Sequence, residues 1–452
     1  MPFPFEVVFV FSYISLFLVI GTILRGSISF LQKYFIPPSL IGGLLGMLTL
    51  FTLQNFSIID SINPFLNLKY EFFESFAYHF FNLSFIAIGL LPKETASIKK
   101  KGSLWMALIQ GVSFPLQAFI GGILVIFLNF FYYDLHPTFG LFLPLGFTEG
   151  PGQALSIGKV WESFGFRHAA TIGLSFATLG YFFSFFIGIP FVNWAIKKKL
   201  VKETFPISKE TLKGFYDKNS FELIPFPNTF HSSSIEPLAF QFSLMGLIYL
   251  ITFVLITILG IFVPEDVKKI LWGFFFLIGL VVSIVLRNIL EKLNKGYLIN
   301  PILQRKLTTF FVDYLIVSTI IAIQPIVVMQ FLIPILFIAI IGAITTFFVV
   351  FYFGKRLQEY SIERMVAIFG VVTGTTSTGL LLLRMVDPEL KTPVAKEIGI
   401  MNLFSIPIIG LFLIFINSYY WWKLSLFTIS LIYFSLAWVF VFFLYIYFRS
   451  DK

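Results

Sequence analysis

Long, unbroken apolar runs constrain this chain more than any other feature. Residues 244–262, for example, include no charged side chain, and a helix needs about 20 mostly apolar residues to cross a bilayer. Of the 452 residues, 58% are hydrophobic and 12% are charged, whereas roughly 25% are charged in a soluble domain. The strands of a membrane barrel would alternate over roughly 10 residues, and these runs do not. The pattern predicts an all-α polytopic membrane protein.

The apolar runs form two sets of five and one further run. The first set, in residues 1–196, predicts membrane helices near 5–24, 37–55, 73–91, 103–131 and 169–196. A polar stretch, residues 197–238, then divides the chain and is predicted to be a linker. The second set, in residues 239–418, predicts helices near 239–263, 270–286, 309–329, 332–353 and 398–418. Residues 419–452 add an extra C-terminal helix near 425–448.

Two segments rich in glycine and hydroxyl side chains interrupt the apolar pattern. They are residues 146–158, the first break, and residues 370–384, the second break, and each lies between the fourth and fifth run of its set. Irregular backbone at membrane depth survives only where protein or a water-filled cavity covers it, and paired interruptions in corresponding halves point to a transporter binding site. We therefore predict re-entrant segments at about 138–158 and 364–384. Surface loops rich in turn residues are the alternative, which the apolar residues 380–383 disfavour.

The positions of the basic residues predict the orientation of the chain. If the runs alternate across a bilayer, most of the 32 lysines and arginines fall on one side, which the positive-inside rule makes cytoplasmic. This predicts a protein of the cell inner membrane with its N-terminus outside and its linker and C-terminus in the cytoplasm. The two halves are then inverted repeats, and the two breaks enter from opposite sides with their tips near the midplane. The opposite side receives Lys69, Lys159, Arg167, Lys268, Lys269 and Lys423.

Composition also excludes several classes of chemistry. The absence of cysteine excludes disulfides, iron–sulfur clusters and thiolate metal sites. The four histidines show no metal-ligand spacing, so no cofactor is expected. The net charge is +9. The lysines and arginines lie in the loops between apolar runs, which indicates membrane topology rather than nucleic-acid binding. The basic start of the linker, residues 197–199, is also a potential contact with membrane lipid.

Several short motifs, taken in order, resemble one family. Residues 30–45 carry a basic–aromatic–Ile-Pro segment before a Gly-Gly helix start, and residues 85–90, 150–152, 177–180, 188–190 and 374–378 follow at matching positions. Over roughly residues 7–418 the chain resembles the bacterial sodium:glutamate symporter family. The resemblance implies two inverted repeats of five helices with re-entrant hairpins, import of glutamate with sodium, a homodimer, and a mobile core that moves against a scaffold.

The chain also departs from that family at its most specific motifs. In the first break, Glu149, Pro151 and Gln153 stand where the family has glycine, histidine and threonine. In the second break, Ser377 replaces a proline and Arg384 is an added charge. The extra C-terminal helix lies outside the ten-helix plan. These departures leave open both the identity of the substrate and the choice between sodium and proton as the coupling ion.

The chemistry of the breaks predicts where ion and substrate bind. Sodium is held by carbonyl and hydroxyl oxygens of unwound helices, and a carboxylate is attracted to a helix N-terminus or an arginine fork. The expected ion ligands are Glu149, Thr373, Gly374, Thr375, Thr376 and Ser377. The expected substrate-binding residues are Thr148, Glu149, Gly150, Gly152, Gln153, Ser156, Thr376, Ser377, Thr378, Arg384 and Asn402.

Each of these assignments has a structural alternative. The hydroxyls are also typical of packing between membrane helices, and Glu149 is also compatible with a position in water at the mouth of the hairpin. Arg384 is also placed to pair with Asp387 at the start of a loop. Asn402 and Glu397 are also interpreted as a polar pair at the start of a helix.

Together these inferences predict a secondary transporter. We expect sodium-coupled symport of glutamate or a related small anionic solute by alternating access. A passive channel lined by the hydroxyls is a second hypothesis, and a carrier of the same fold with proton coupling or a different substrate is a third. A membrane enzyme using Glu149 as a general base is not expected, because no nucleophile–base pair, metal-ligand set or nucleotide motif accompanies it.

Overall fold

The computed structural model describes residues 6–55, 68–92, 100–131, 133–201, 236–387 and 390–449. These residues form helices and no strand, which confirms the predicted all-α class. Most of the predicted linker, residues 197–238, lies outside the described part of the chain.

The first half contains four helices, a long helix, a broken segment and another long helix. The broken segment is a 3-10 turn, Phe139–Leu141, followed by two short helices. In chain order the helices are α1 (Glu6–Ser27), α2 (Ser29–Lys33), α3 (Pro38–Asn55), α4 (Tyr70–Leu90), α5 (Lys100–Phe130), α6 (Phe142–Phe147), α7 (Pro151–Glu162) and α8 (Ala169–Lys197).

The second half also contains a broken segment between two long helices, and it ends in a last helix. Its helices are α9 (Pro237–Leu259), α10 (Glu265–Gly273), α11 (Phe275–Lys292), α12 (Pro301–Ile321), α13 (Pro325–Gln330), α14 (Leu332–Gly354), α15 (Ser361–Val372), α16 (Thr376–Arg384), α17 (Val394–Ile416), α18 (Ser418–Trp421) and α19 (Leu426–Arg449). That the two halves are inverted repeats stays a prediction.

Six described helices are long and apolar enough to cross a membrane, namely α1, most of α5, α8, α9, α14 and most of α19. The number rises to eight if two bent pairs each count as one span. One pair is α10 with α11, bent by 66°, and the other is the two parts of α17, bent by 53°. The chain is a multi-pass membrane protein, and the full set of eleven spans stays a prediction.

The helices pack into two groups. The framework bundle consists of α1, α3, α4, α9, α11 and α12, and the break bundle consists of α5–α8, α14–α17 and α19. The groups meet where α7 lies against α4 and α12 and where α8 lies against α12. There the Lys159 Nζ of α7 is 2.6 Å from the Glu74 Oε2 of α4. Both breaks therefore belong to the break bundle, and this ion pair links that bundle to the framework bundle.

Buried charge also anchors the second broken segment. Arg364, in the first turn of α15, makes two hydrogen bonds to the Glu397 carboxylate of α17, of 2.7 Å and 2.6 Å. The Glu397 side chain is 1% exposed, and a Cβ on Gly102 of α5 would lie 2.3 Å from its Oε1. Because paired hydrogen bonds fix both distance and orientation, this pair holds the start of α15 against α17.

One predicted helix is wrong at both ends. The apolar run at 309–329 corresponds to a helix that spans Pro301–Ile321. Asn300 caps its N-terminus by accepting hydrogen bonds from the backbone of Ile302 and Leu303, at 3.0 Å and 3.2 Å. The polar residues of the first turns are tolerated because Gln304 is buried and donates to Gln241 Oε1 at 3.0 Å. Hydropathy alone does not register such a pairing.

Candidate functional site

Each break contains three residues that are not helical, between two short helices. In the first break α6 ends at Phe147 and α7 begins at Pro151; in the second break α15 ends at Val372 and α16 begins at Thr376. Gly150 has a φ of 85° and a ψ of −176°, a conformation that costs a residue with a Cβ on the order of 1–3 kcal/mol. Pro151 suits the next position because its φ is already helical and its missing N–H is not needed there.

The two breaks meet each other. A Cβ on Gly150 would lie 3.0 Å from the Cγ2 of Thr375 and 3.2 Å from the carbonyl oxygen of Gly374. The absence of a side chain at Gly150 is therefore what lets the second break approach. The sequence predicted that the tips would come together; their depth in a bilayer stays a prediction.

Gln117 of α5 holds the two tips together. Its Oε1 accepts a hydrogen bond of 2.7 Å from the Thr148 hydroxyl in the first break. Its Nε2 donates to the carbonyl oxygen of Val372, which ends α15, and to the Thr346 hydroxyl of α14, both at 3.0 Å. Gln117 is 1% exposed, so one buried amide satisfies groups from both broken segments.

The hydroxyl groups of the breaks fall into two sets. Those of Thr148, Thr373 and Thr378 are buried, and the first two have close partners. The Thr373 Oγ1 lies 2.6 Å from both the Ser184 hydroxyl and the Phe369 carbonyl oxygen. These hydroxyls stabilise the structure, as expected for helix contacts.

The second set is partly exposed. Thr375, Thr376 and Ser377 lie side by side at the start of α16, and each is only partly buried. Thr375 caps the helix, because its Oγ1 accepts from the backbone N–H of Thr378 at 3.4 Å. Within the described part of the chain the hydroxyls of Thr376 and Ser377 make no hydrogen bond. These two are the hydroxyls left for a ligand.

Glu149 directly precedes Gly150, which contacts Thr375 of this second set. Glu149 is partly exposed, yet its Oε1 is buried and has no hydrogen-bond partner. The Gln153 side chain is close to it and also has a buried, unpaired Oε1. Two acceptors that need a donor or a cation therefore lie next to the point where the tips meet.

Several predicted site residues lie elsewhere. Arg384 is exposed at the last residue of α16, about 12 Å along the helix from Thr376, and so lies apart from the tips. Asp387 does not pair with it, since the Asp387 carboxylate accepts from the backbone of Lys391 and Thr392 at 2.9 Å and 2.8 Å. Asn402 lies on α17.

Two other residues of the first break face the framework side. A Cβ on Gly152 would lie 2.0 Å from the ring of Phe81 on α4. Ser156 is 2% exposed, has an unpaired hydroxyl, and lies where α7 passes Gly273 of α10. The structure therefore gives Gly152 a packing role and places Ser156 away from the tips.

Sequence reasoning missed four polar residues of this region, Gln117, Tyr181, Ser184 and Asp313. The clearest available signal was Asp313, a carboxylate inside a predicted membrane helix, because such residues usually serve function. Gln117 was also a polar residue in the middle of an apolar run. Among the described residues, no three His, Asp or Glu side chains form a metal-binding group, so any ion site depends on neutral oxygens as well.

The fold and the site define a class: multi-pass helical membrane proteins in which two broken helices meet tip to tip. The sequence pattern of the family described as sodium/glutamate symporter matches residues 3–387, and the chain belongs to this family of transporters. No curated protein and no solved structure matches the chain. The predicted family is thereby confirmed. The family is one of transporters, which is the functional class predicted from the sequence.

Proposed function

We propose that this protein imports glutamate, or a related small anionic solute, together with sodium, and that both bind where the two breaks meet. The observation that carries the proposal is the contact of Gly150 with Gly374 and Thr375. It brings helix ends of opposite polarity to one place, and the membership of the family supports sodium/glutamate symport.

The N-terminal ends of α7 and α16 supply sites for a carboxylate. The backbone N–H groups of Gly152, Gln153, Thr376 and Ser377 lie in the first turns, where no carbonyl of the same helix is available. Each helix end carries roughly half a positive charge. Because the tips touch, two such ends converge, which suits a solute with carboxylate groups.

The C-terminal ends of α6 and α15 supply sites for a cation. The carbonyl of Val372 is used by Gln117, and the Gly374 carbonyl lies at the contact with Gly150. The carbonyl oxygens at these helix ends, the hydroxyls of Thr376 and Ser377 and the carboxylate of Glu149 are oxygens of the type that sodium prefers in broken membrane helices. Glu149 would repel a bare anion, so we expect a cation or a proton to accompany the solute there.

Transport would follow from movement of the break bundle against the framework bundle. In the proposed topology the N-terminus lies outside, the linker and C-terminus lie in the cytoplasm, and the two halves are inverted. Each break therefore faces a different side of the membrane. We propose that the protein works in this way in the cell inner membrane and as a homodimer. Membrane lipid is expected around its exposed apolar helices, such as α9 and α19.

Uptake into proteoliposomes tests this function. We expect saturable uptake of radiolabelled glutamate that requires an inward sodium gradient and increases with an inside-negative potential. If sodium has no effect but a proton gradient drives uptake, the coupling ion is corrected. If no amino acid or dicarboxylate enters under either gradient, the proposal fails. A rapid, non-saturating flux without a gradient would instead support a channel.

A further inference from the structure

A second group of polar side chains lies where the framework bundle meets the break bundle. It consists of Asp313 on α12, Ser39 on α3 and Tyr181 on α8. The surrounding residues are apolar, with Leu40, Ile316 and Ile320 packed in one buried cluster with Tyr181. None of the three polar residues belongs to either break, but Tyr181 reaches the second of them.

Two hydroxyls of this group are buried without a hydrogen bond. Ser39 is 0% exposed and Tyr181 is 4% exposed, and neither hydroxyl has a partner of normal geometry. The Ser39 hydroxyl faces the Asp313 carboxylate. The Tyr181 hydroxyl lies beside Thr375, with the Asp313 carboxylate nearby. Buried polar groups are almost always paired, and an unpaired one calls for an ion, a water or a ligand.

Asp313 itself has no basic partner. No lysine, arginine or histidine among the described residues forms an ion pair with it. An ionised carboxylate in a membrane helix costs about 2.5–3.5 kcal/mol on insertion scales and therefore usually marks a functional position. The groups around Asp313 offer hydroxyl oxygens, which accept a small cation well. The Tyr181 hydroxyl connects this group to Thr375 at the tip of the second break.

We propose that Asp313, with the Ser39 and Tyr181 hydroxyls, binds a small monovalent cation between the framework bundle and the second break. Free sodium and the ammonium group of an amino-acid solute share this chemistry. The proposal that this site binds a cation rests on its geometry alone. A role of the site in coupled transport rests on the proposed function. The site contains residues of both bundles, so cation binding would favour the arrangement in which α8 lies against α12.

The experiment compares ligand-induced thermal stabilisation of the purified protein in detergent. The variants are Asp313→Asn, Ser39→Ala and Tyr181→Phe. The controls are Glu265→Gln, which removes an exposed carboxylate, and Ser318→Ala, whose hydroxyl bonds its own helix at Tyr314. Sodium chloride is titrated against choline chloride without solute, and glutamate is then compared with glutarate, which lacks the amino group, at fixed sodium. A monodisperse elution profile shows that each variant is folded.

A sodium site at Asp313 predicts that Asp313→Asn weakens the sodium-dependent stabilisation about tenfold or more. Ser39→Ala and Tyr181→Phe should weaken it less, and the controls should behave like the wild type. An ammonium site predicts that Asp313→Asn retains the sodium response and loses the preference for glutamate over glutarate. Either result supports the proposal.

The proposal is overturned if Asp313→Asn matches the wild type in both responses, or if the wild type responds to neither sodium nor the amino group. Failure of the proposed function has a different signature, namely no gradient-driven uptake by the wild type in proteoliposomes. A wild-type protein that binds sodium through Asp313 and transports nothing would keep this inference and refute that function.

Discussion

At the scale of single residues, replacing Glu149 tests the chemistry of the site without changing the stability of the fold. The buried Oε1 of Glu149 has no partner, and a glutamine has the same shape and still hydrogen-bonds to the nearby Gln153 side chain. We expect Glu149→Gln to express and fold normally while changing the dependence of uptake on sodium or on pH. The measurement is uptake in proteoliposomes over a range of sodium concentrations and pH values.

Glu265→Gln is the matched control, because the Glu265 side chain is 71% exposed and lies on α10, outside both breaks. If Glu149→Gln leaves both the sodium and the pH dependence of uptake as in the wild type, Glu149 is not part of the ion site.

Gln117 gives a second prediction at this scale. Replacing it with leucine leaves the Val372 carbonyl and the Thr346 hydroxyl without their shared donor. The Val372 carbonyl still accepts from the Thr148 hydroxyl at 3.3 Å, but three hydrogen bonds of about 0.5–1.5 kcal/mol each are lost, so the thermal midpoint in detergent should fall and uptake should be lost. Gln330→Leu, at an exposed position, should change neither. An unaltered midpoint and unaltered uptake would show that the tips meet without Gln117.

At the scale of elements, Gly150 sets how closely the two breaks approach. Gly150→Ala introduces a Cβ about 3 Å from Thr375 and Gly374 into a conformation that costs on the order of 1–3 kcal/mol with a side chain. We expect a lower affinity for solute and sodium, measured as the concentrations that give half-maximal uptake. Gly246→Ala on α9, where a Cβ meets nothing within 4 Å, is the control and should be neutral. Equal affinities in the two variants would contradict the close contact.

The Arg364–Glu397 pair is expected to stabilise the second broken segment. Glu397→Gln leaves a buried arginine without its countercharge, which typically costs about 3–5 kcal/mol. The double variant Arg364→Met/Glu397→Leu removes both charges and should recover most of the loss. Thermal unfolding in detergent measures both. A single variant as stable as the wild type, or a double variant no better than the single one, would refute this.

The helices show which structural features are predictable from the sequence and which are not. Apolar runs predict helices such as α14, within one residue at each end, because its residues 332–354 are almost all apolar. The break residues Thr148–Gly150 and Thr373–Thr375 were also predictable, since glycine and hydroxyl clusters interrupt the runs. The roles of the side chains were not. Thr373 and Thr376 look alike in sequence, and only the packing of Ser184 against Thr373 tells them apart.

At the scale of the whole molecule, the Glu74–Lys159 ion pair joins the two bundles and tests whether they move. The natural chain has no cysteine, so a Glu74→Cys/Lys159→Cys variant carries only the two thiols of interest. A short reducible cross-linker between them should abolish uptake, and reduction should restore it, if transport requires the bundles to slide past each other.

The control for this cross-link lies within α7. Lys159 is also 2.9 Å from Glu162, so a Lys159→Cys/Glu162→Cys variant receives the same reagent without linking the bundles. Its uptake should stay near that of the untreated protein. If the cross-link from α4 to α7 has as little effect, the bundles do not need to separate there.

The shared hydrogen bonds of Gln117 have a thermodynamic consequence for the ligands. Its amide touches the first break through Thr148 and the second through Val372, so a ligand that reorders one tip alters the groups that position the other. Any resulting interaction energy must be reciprocal: the factor by which sodium tightens solute binding equals the factor by which solute tightens sodium binding. A single buried amide would thereby make the binding of the two ligands cooperative, and cargo and driving ion would occupy the protein together more often than either would alone.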